Sequence, residues 1–143
     1  MFHFQLVSIS GKKFDEDVYE VILPTLEGEI GVLQDHMPLV SVATTGAIAV
    51  RRNPKDTDAE REYFATSGGV IEVSENTLRV LVDEADHVDE INEAEVQKAL
   101  ERAHRMKAEA KDELSLEHAQ SLVDRHAVRL QVAGLKRRHQ RKH

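Results

Sequence analysis

Cysteine is absent from this chain of 143 residues, and aromatic side chains make up only 4% of it, with no tryptophan. The lack of thiols excludes disulfide bonds, thiolate catalysis and zinc sites built from cysteine, and it is consistent with a reducing compartment. Because aromatics are scarce, a core must be built mainly from valine, isoleucine, leucine and alanine. Hydrophobic residues amount to 41% of the chain, which is enough for a folded domain.

Long hydrophobic runs are also missing. No stretch approaches the roughly 18 apolar residues with which a helix crosses a bilayer. The first ten residues, MFHFQLVSIS, lack the basic start and the long apolar segment of a signal peptide. We therefore expect a soluble chain that contacts a membrane only through a larger complex.

The net charge of −7 is unevenly distributed. Residues 1–88 contain 7 Lys and Arg against 16 Asp and Glu, which gives −9, whereas residues 89–143 contain 12 against 10, which gives +2. The acidic first part would repel phosphate, so no nucleic-acid partner is expected. The last eight residues, KRRHQRKH, carry five cations and no acid, and they form either a solvated end or a contact for an acidic partner.

The hydrophobic pattern of residues 1–83 has the period of β-strands. FHFQLVSI alternates apolar and polar residues, and VYEVIL is rich in β-branched and aromatic types. The clearest hairpin lies at 69–83, with Glu75 and Asn76 at its turn. Its inward-facing residues are predicted to be Ile71, Val73, Leu78, Val80 and Val82. Short strands separated by turn signals predict an antiparallel sandwich or barrel.

From residue 91 the apolar residues recur at steps of three and four, which is the period of a helix. Asn92 and Glu95 predict a capping box at its start. One predicted stripe comprises Val96, Ala99, Leu100, Ala103, Met106 and Ala110, and a second comprises Leu116, Ala119, Leu122 or Val123, His126, Leu130 and Ala133. The polar stretch 111–115 between them predicts a connecting loop, and hence an antiparallel hairpin.

The change of period divides the chain near the acidic segment 83–90, DEADHVDE. We predict an N-terminal antiparallel β-sandwich domain at 1–88, followed by a C-terminal two-helix antiparallel hairpin with a basic tail at 89–143. Because the facing residues of the two helices are largely alanine, the hairpin buries little area and is expected to be weakly held.

Motifs for catalysis are missing from the sequence. There is no G-x-S-x-G nucleophile turn and no glycine-rich phosphate loop. Asp35 and His36 are adjacent, so their side chains point to opposite sides of an extended segment. His36, His87 and the acids near them lack the spacing of metal ligands. We expect a protein that is not an enzyme and holds no metal, and an enzyme acting through Glu29, Asp35 and His36 is kept as an alternative.

Two segments carry a family pattern, EGEIGVLQDHMPLVSVATTGAI at 27–48 and YFATSGGVIEVSENTLRVLVDEA at 63–85. They contain a Gly-Glu-aliphatic-Gly turn, a His-x-Pro-Leu sequence, a glycine before a strand, and a Gly-Gly strand followed by a Val-rich hairpin. In order and spacing the chain resembles the epsilon subunit of bacterial F-type ATP synthase. The resemblance implies a ten-stranded β-sandwich followed by two helices, in a non-catalytic rotor subunit of the central stalk.

The resemblance also implies partners and contact residues. The partners are the gamma subunit and the ring of membrane c subunits, at the cytoplasmic face of the plasma membrane. The glutamate that contacts polar loops of the ring falls on Glu29, and the histidine near this interface falls on His36. Ile30 and Val32 are expected to add apolar contact. The alternative for His36 is that it closes its own turn or packs beside Pro38.

In bacterial members of this family the helical hairpin either folds against the sandwich or extends into the catalytic head, where it suppresses ATP hydrolysis. A basic face on the second helix is the expected contact for an acidic loop of the beta subunit, and it comprises Arg125, Arg129, Lys136, Arg137 and Arg138. The alternative is a hairpin that stays docked and leaves this face in solvent.

Some members bind ATP between the sandwich and the hairpin, through a motif of an aliphatic residue, Asp, two variable residues and Arg-Ala. Asp89 fits that motif, but Asn92 replaces its arginine and Glu93 places an acid where phosphate would lie. Arg125 and Arg129 match the family's arginine pair on the second helix. We expect no required cofactor, with ATP as a regulatory ligand of Asp89, Arg125 and Arg129 left open. A free-standing ATP-sensing regulatory module is therefore the alternative function.

Overall fold

The computed structural model describes residues 1–141, and it describes side chains as far as Arg138, so the last five residues of the basic tail lie outside the described side chains. The strands are β1 (Phe2–Ser8), β2 (Gly11–Val18), β3 (Glu20–Thr25), β4 (Gly28–Val32), β5 (Leu39–Ala43), β6 (Gly46–Arg51), β7 (Glu62–Ser74) and β8 (Thr77–His87). The helices are α1 (Glu93–Glu109) and α2 (Glu113–Arg141), with short 3-10 helices at Asp58–Glu60 and Val88–Glu90.

Strand pairing arranges the strands in two layers. One layer has the order β2-β1-β8-β7-β5, and the other has the order β4-β3-β6-β7-β8, because β7 and β8 are long enough to take part in both. The resemblance implied ten strands, and the described residues form eight continuous ones. Counting each half of β7 and β8 separately gives five strands in each layer. The predicted fold class, a β-sandwich followed by two helices, is confirmed.

The crossing of β7 between the layers occurs at Gly68 and Gly69. A β-carbon on Gly69 would lie 1.9 Å from the carbonyl oxygen of Leu81, so the backbones approach too closely for any side chain. The Gly-Gly pair thus lets one strand pair with β6 before the crossing and with β5 after it.

Alternation of side chains fills the space between the layers. The predicted hairpin is confirmed, because Glu75 and Asn76 form its turn with φ angles of 49° and 60°. The five residues predicted to face inward on this hairpin are all buried. The rest of the core comes mainly from Phe4, Leu6, Val18, Val21, Leu23, Val32, Ile48, Val50 and Phe64.

Side-chain caps fix where the two helices begin. The Asn92 side chain accepts a hydrogen bond from the amide of Glu95 at 3.1 Å, as predicted. The Asp112 side chain accepts one from the amide of Ser115 at 2.7 Å, and α2 begins at Glu113. The loop predicted over 111–115 is therefore shorter than expected, since an acid in that polar stretch starts the second helix.

The predicted helical stripes are only partly buried. The buried members of the stripes are Val96 and Ala103 of α1 and Ala119 and Val123 of α2. Met106 and Leu116 were predicted in the stripes, yet they are exposed near the tip of the hairpin. The tip is thus thinly packed.

A second face of α2 packs on the sandwich, and the stripe prediction missed it. Val132 is fully buried. Its cluster contains Tyr63, Ala65 and Val88, with Ala47, Ala49, Ile91, Val128 and Leu135 alongside. Three of the nine members of this cluster are alanines, each of which buries little apolar area.

Candidate interaction surfaces

Glu29 lies at the start of β4, directly after the β3–β4 turn. The turn is closed by the Thr25 hydroxyl, which donates to the carbonyl of Gly28 at 2.6 Å, and Gly28 has a φ of 113° that other residues rarely adopt. The strand β4 pairs with β3 at the end of its layer, and the Glu29 side chain is exposed. The carboxylate is therefore presented from a firm turn at a sheet edge, as a contact residue requires.

The other two β4 residues predicted at this interface face inward. Ile30 is half-buried and packs against the core. Val32 is 1% exposed and belongs to the core itself. The expectation that Val32 contacts a partner is therefore wrong: alternation along β4 directs Ile30 and Val32 into the sandwich, and they hold the strand that presents Glu29.

His36 lies in the loop between β4 and β5 and bonds within that loop. Its amide donates to the carbonyl of Leu33 at 3.3 Å, and its ring Nδ1 lies 2.7 Å from the carbonyl oxygen of Met37. Asp35 has a φ of 62°, and its amide donates to the side chain of Asn76 in the β7–β8 turn. These contacts match the alternative in which His36 closes its turn.

Glu29 and His36 lie at opposite ends of β4. Glu29 is the second residue of the strand, whereas His36 follows the far end, where the loop contacts the β7–β8 turn. At about 3.3 Å per residue, the strand from Glu29 to Val32 alone spans about 10 Å. The structure thus does not bring these residues together with Asp35 into one cluster.

An exposed apolar row crosses the outer face of the first layer, and the sequence analysis missed it. Val42 lies directly opposite Val70, and Val70 lies directly opposite Leu81, on the neighbouring strands β5, β7 and β8. These side chains are 56%, 46% and 46% exposed, and nearby Val40 is 76% exposed. Contiguous apolar side chains on a surface mark interaction sites. We call Val42, Val70 and Leu81 the apolar row.

A polar network flanks the apolar row on the same outer face. The two ring nitrogens of His3 contact Asp15 and Asp17, the latter at 2.8 Å. Hydrogen bonds to Asp17 and Asp15 raise the pKa of His3. The hydrogen bond from His3, helped by Lys12, lowers the pKa of Asp15 to about 2. Because each nitrogen faces a carboxylate, the network favours the imidazolium form of His3.

The predicted basic face on α2 is paired with acids of this chain. Arg129 donates through Nε to Asp86 at 2.7 Å and through a terminal nitrogen to Glu84 at 3.3 Å. Arg125 also forms an ion pair with Glu84. These contacts fasten the middle of α2 to the end of β8.

The pairing continues toward the C-terminal end of α2. Lys136 pairs with Asp89, and Arg137 pairs with Glu93 at 2.7 Å. The hydrogen bond from Lys136 lowers the pKa of Asp89. Arg138 instead donates to the carbonyl of Gly134. We call the contacts of Arg125, Arg129, Lys136 and Arg137 with Glu84, Asp86, Asp89 and Glu93 the ion-pair series.

The ATP candidates are all members of the ion-pair series. Arg125 and Arg129 face Glu84 and Asp86, and Asp89 is paired with Lys136 rather than with either arginine. A cavity of about 480 Å³ beside Arg125 is lined by the acids Asp83, Glu84 and Asp86 and by one further cation, Lys13. Carboxylates around the guanidinium groups disfavour a phosphate there, since like charges would be close.

Two further kinds of site are missing from the described side chains. No group of three or more His, Cys, Asp or Glu in that part of the chain is placed to hold a metal ion. Over the same residues, neither helix is both long enough and apolar enough to cross a membrane. What the described residues offer is an exposed turn carboxylate, an apolar row and a charged joint between sheet and hairpin.

Comparison with known proteins identifies the family. Residues 1–88 match the family described as ATP synthase, Delta/Epsilon chain, beta-sandwich domain. The chain is 32% identical to the ATP synthase epsilon chain of Halalkalibacterium halodurans, with 92% of this chain and 96% of that protein covered. It is 35% identical to the ATP synthase epsilon chain of Maricaulis maris, with 92% and 96% covered.

A solved structure agrees with the fold. The cryo-EM structure of Euglena gracilis mitochondrial ATP synthase, comprising OSCP, F1 and the c-ring, contains a chain with a TM-score of 0.75 and 24% identity, and the match covers 92% of this chain and 79% of that one. The fold, the match of the sandwich domain and the identity over nearly the whole length lead to one conclusion. The chain belongs to the ATP synthase epsilon chain family, as the motifs at 27–48 and 63–85 predicted.

Proposed function

We propose that this chain is a non-catalytic rotor subunit in the central stalk of an F-type ATP synthase. It would join the gamma subunit to the c-subunit ring and transmit torque by contact. The observation that carries the proposal is the apolar row, an exposed contact surface on a rigid sandwich, in a chain of this family. A solved structure with the same fold, at a TM-score of 0.58 and 13% identity, is a central stalk and c-ring assembly from Tetrahymena thermophila.

The two predicted partners fit two different surfaces. The apolar row suits the gamma subunit, because an extended partner surface can cover Val42, Val70 and Leu81 together. Glu29 suits a basic side chain on a polar loop of the ring. A single exposed ion pair contributes only about 0–1 kcal/mol, so the larger apolar surface must supply most of the holding energy.

The sandwich is suited to transmitting force because its layers share strands. β7 and β8 run through both layers, so a load on one face passes through continuous backbone to the other. In this arrangement the subunit is peripheral, at the cytoplasmic face of the plasma membrane, and it reaches the membrane only through the complex.

The helical hairpin adds a regulatory role to this proposal. In the docked form the ion-pair series pairs four cations of α2 with acids of this chain. An acidic loop of the beta subunit would need the same cations, so docking and inhibition exclude each other. The free-standing ATP-sensing module is disfavoured by the carboxylates that already face Arg125 and Arg129.

Recovery of partners from membranes tests the rotor assignment. An affinity-tagged chain, expressed in its source cells, is expected to recover gamma and c subunits after mild solubilisation. Leu81→Asp places a charge in the apolar row and is expected to lower the recovery of gamma about tenfold. Leu114→Asp makes the same change at an exposed leucine on α2 and should not lower the recovery of gamma.

Two outcomes would contradict the proposal. Full recovery of gamma with Leu81→Asp would contradict the role of the apolar row. Failure of the unaltered chain to recover either subunit would overturn the rotor assignment.

A further inference from the structure

His126 lies on α2 where both helices and the sheet meet. It is half-buried, and its Nδ1 is 3.2 Å from a terminal nitrogen of Arg129. That guanidinium is the one that also bonds Asp86 and Glu84 on β8. The histidine therefore contacts the central member of the ion-pair series.

The contact with Arg129 defines the protonation state of the ring. A guanidinium only donates hydrogen bonds, so Nδ1 of His126 must accept, and it can do so only without a proton. In this neutral form His126 helps to orient Arg129 toward Asp86. A protonated ring would lose the acceptor and turn the hydrogen bond into a repulsion.

The charges around His126 come from each element packed at the joint. Arg125 and Arg129 belong to α2, Arg102 belongs to α1, and Glu84 and Asp86 belong to β8. Burial lowers the pKa of His126, and the charges of Arg129, Arg125 and Arg102 lower it further, against a smaller opposing effect of Glu84. Three guanidinium groups therefore oppose a further positive charge at the joint.

We infer that protonation of His126 weakens the docking of the helical hairpin on the sandwich. His126 would thus be a pH-sensitive contact between α2 and β8. The inference needs only the contacts of the docked chain and does not rest on the proposed rotor function. Acidification would replace an acceptor for Arg129 with a fourth cation among Arg102, Arg125 and Arg129.

The sign of the effect follows from proton linkage. The docked hairpin keeps the pKa of His126 below its ordinary value, whereas release to solvent restores it. The docked state thus binds fewer protons, so docking is strongest above about pH 6.5 and is progressively lost as the pH falls below that value.

Fluorescence energy transfer between two labels can follow docking, because the chain has no cysteine of its own. Cysteines at the exposed positions Lys55 and Leu114 place one label on the sandwich and one near the hairpin tip. We expect the undocked fraction to rise at least fivefold from pH 7.5 to pH 5.5. This range lies above the ordinary pKa values of carboxylates and spans that of histidine.

The decisive comparison is between variants, because the chain has seven histidines besides His126. His126→Gln keeps a neutral acceptor for Arg129 and is expected to remove most of the pH response. His104→Gln, at an exposed site on α1, should leave the response intact. A wild-type response in His126→Gln, or no response in the unaltered chain, would overturn the inference.

A direct titration keeps the test valid if His126→Gln is undocked at every pH. The ring signals of His126 in the unaltered chain, followed by NMR, should then titrate below pH 6.5 and move together with the label distance. Titration of His126 at its ordinary value, or at a pH unrelated to undocking, would overturn the inference.

Discussion

The Nε of Arg129 donates to Asp86 at 2.7 Å, and this bond joins α2 to β8 across 43 residues of sequence. Both side chains are largely buried, at 18% and 29% exposure. A charge-assisted hydrogen bond in such a place is stronger than a pair in open solvent. The bond adds a polar restraint on the hairpin to the apolar cluster around Val132 beneath α2.

Removal of the Arg129–Asp86 bond is predicted to loosen the hairpin without unfolding the sandwich. A double-mutant cycle with Arg129→Gln and Asp86→Asn should give a coupling energy of about 1–2 kcal/mol, measured from hydrogen exchange of α2 amides. The matched control is Arg137 with Glu93, which are 53% and 44% exposed and should couple by less than about 0.5 kcal/mol. Equal coupling energies for the two pairs would contradict the prediction that the Arg129–Asp86 bond contributes more to docking than an exposed ion pair.

Substitution of Gly31 by alanine is predicted to raise the stability of the isolated chain and to weaken its binding to the c ring. Gly31 lies on the exposed edge strand β4, its φ lies outside the left-handed region, and an added β-carbon would meet nothing within 4 Å. Gly31→Ala should therefore raise the free energy of unfolding by about 0.4–1 kcal/mol, since the unfolded chain loses freedom. If the ring approaches β4 closely beside Glu29, the same change should weaken binding to membranes that contain the c ring.

Gly134→Ala is the control for Gly31→Ala. The nearest atom to its added β-carbon is a terminal nitrogen of Arg137 at 3.9 Å, so it should stabilise the helix α2 by up to about 1 kcal/mol and leave membrane binding unchanged. Denaturant unfolding and sedimentation with membranes give the two readouts. Wild-type binding by Gly31→Ala would show that no partner backbone approaches this strand.

The sequence predicted the parts of the fold that depend on local patterns. Alternation located the hairpin of β7 and β8, and Asn92 located the start of α1, because a turn or a cap is decided by a few neighbouring residues. The family motifs predicted the fold and the family, and the exposed position of Glu29 agrees with a contact role. The burial of Val32 was also readable, since alternation with exposed Glu29 and Gly31 sends it inward.

The parts that were missed depend on contacts between distant segments. Helical period alone could not show that α2 packs on two sides, because Val132 is buried by Tyr63 and Ala65 of strand β7. The ion-pair series could have been suspected from the acids of 83–90 and the cations of α2, but the choice of partners needs the fold. The apolar row had a signal in β5, where Val40 and Val42 are apolar on the outward face.

The His3 network is predicted to contribute stability that depends on pH. Contacts with Asp17 and Asp15 raise the pKa of His3, so its contribution is complete below about pH 6.5 and is lost as the pH rises through the raised value. The difference in unfolding midpoint between the unaltered chain and His3→Gln should therefore be largest near pH 6 and vanish at high pH. Asp17→Asn should lower the pKa of His3 in an NMR titration, and a His3 titration unaffected by Asp17→Asn would contradict the assignment.

Calorimetry of the isolated chain with ATP is predicted to show no binding tighter than the millimolar range. The two arginines of the candidate site, Arg125 and Arg129, already form ion pairs with Glu84 and Asp86. In addition, the Arg-Ala of the ATP-binding motif is replaced in this chain by Asn92 and Glu93. Glu84→Gln removes one competing charge and shows whether the arginine pair binds phosphate once freed. Binding by the unaltered chain that Arg125→Ala abolishes would support the ATP-sensing alternative instead.

Two changes, one in the hairpin and one in the β8 acids that pair with it, are predicted to act on ATP hydrolysis in opposite directions. Deletion of residues 89–143 removes the cations that would meet the beta subunit, so hydrolysis by the assembled complex should rise. Glu84→Gln combined with Asp86→Asn keeps those cations but weakens their docked partners, so hydrolysis should fall because the hairpin is released more often. Steady-state ATPase assays on the purified complex measure both. Unchanged hydrolysis in both variants would show that the hairpin has no inhibitory role, whereas a rise in both would mean that the docked form is the inhibitory one.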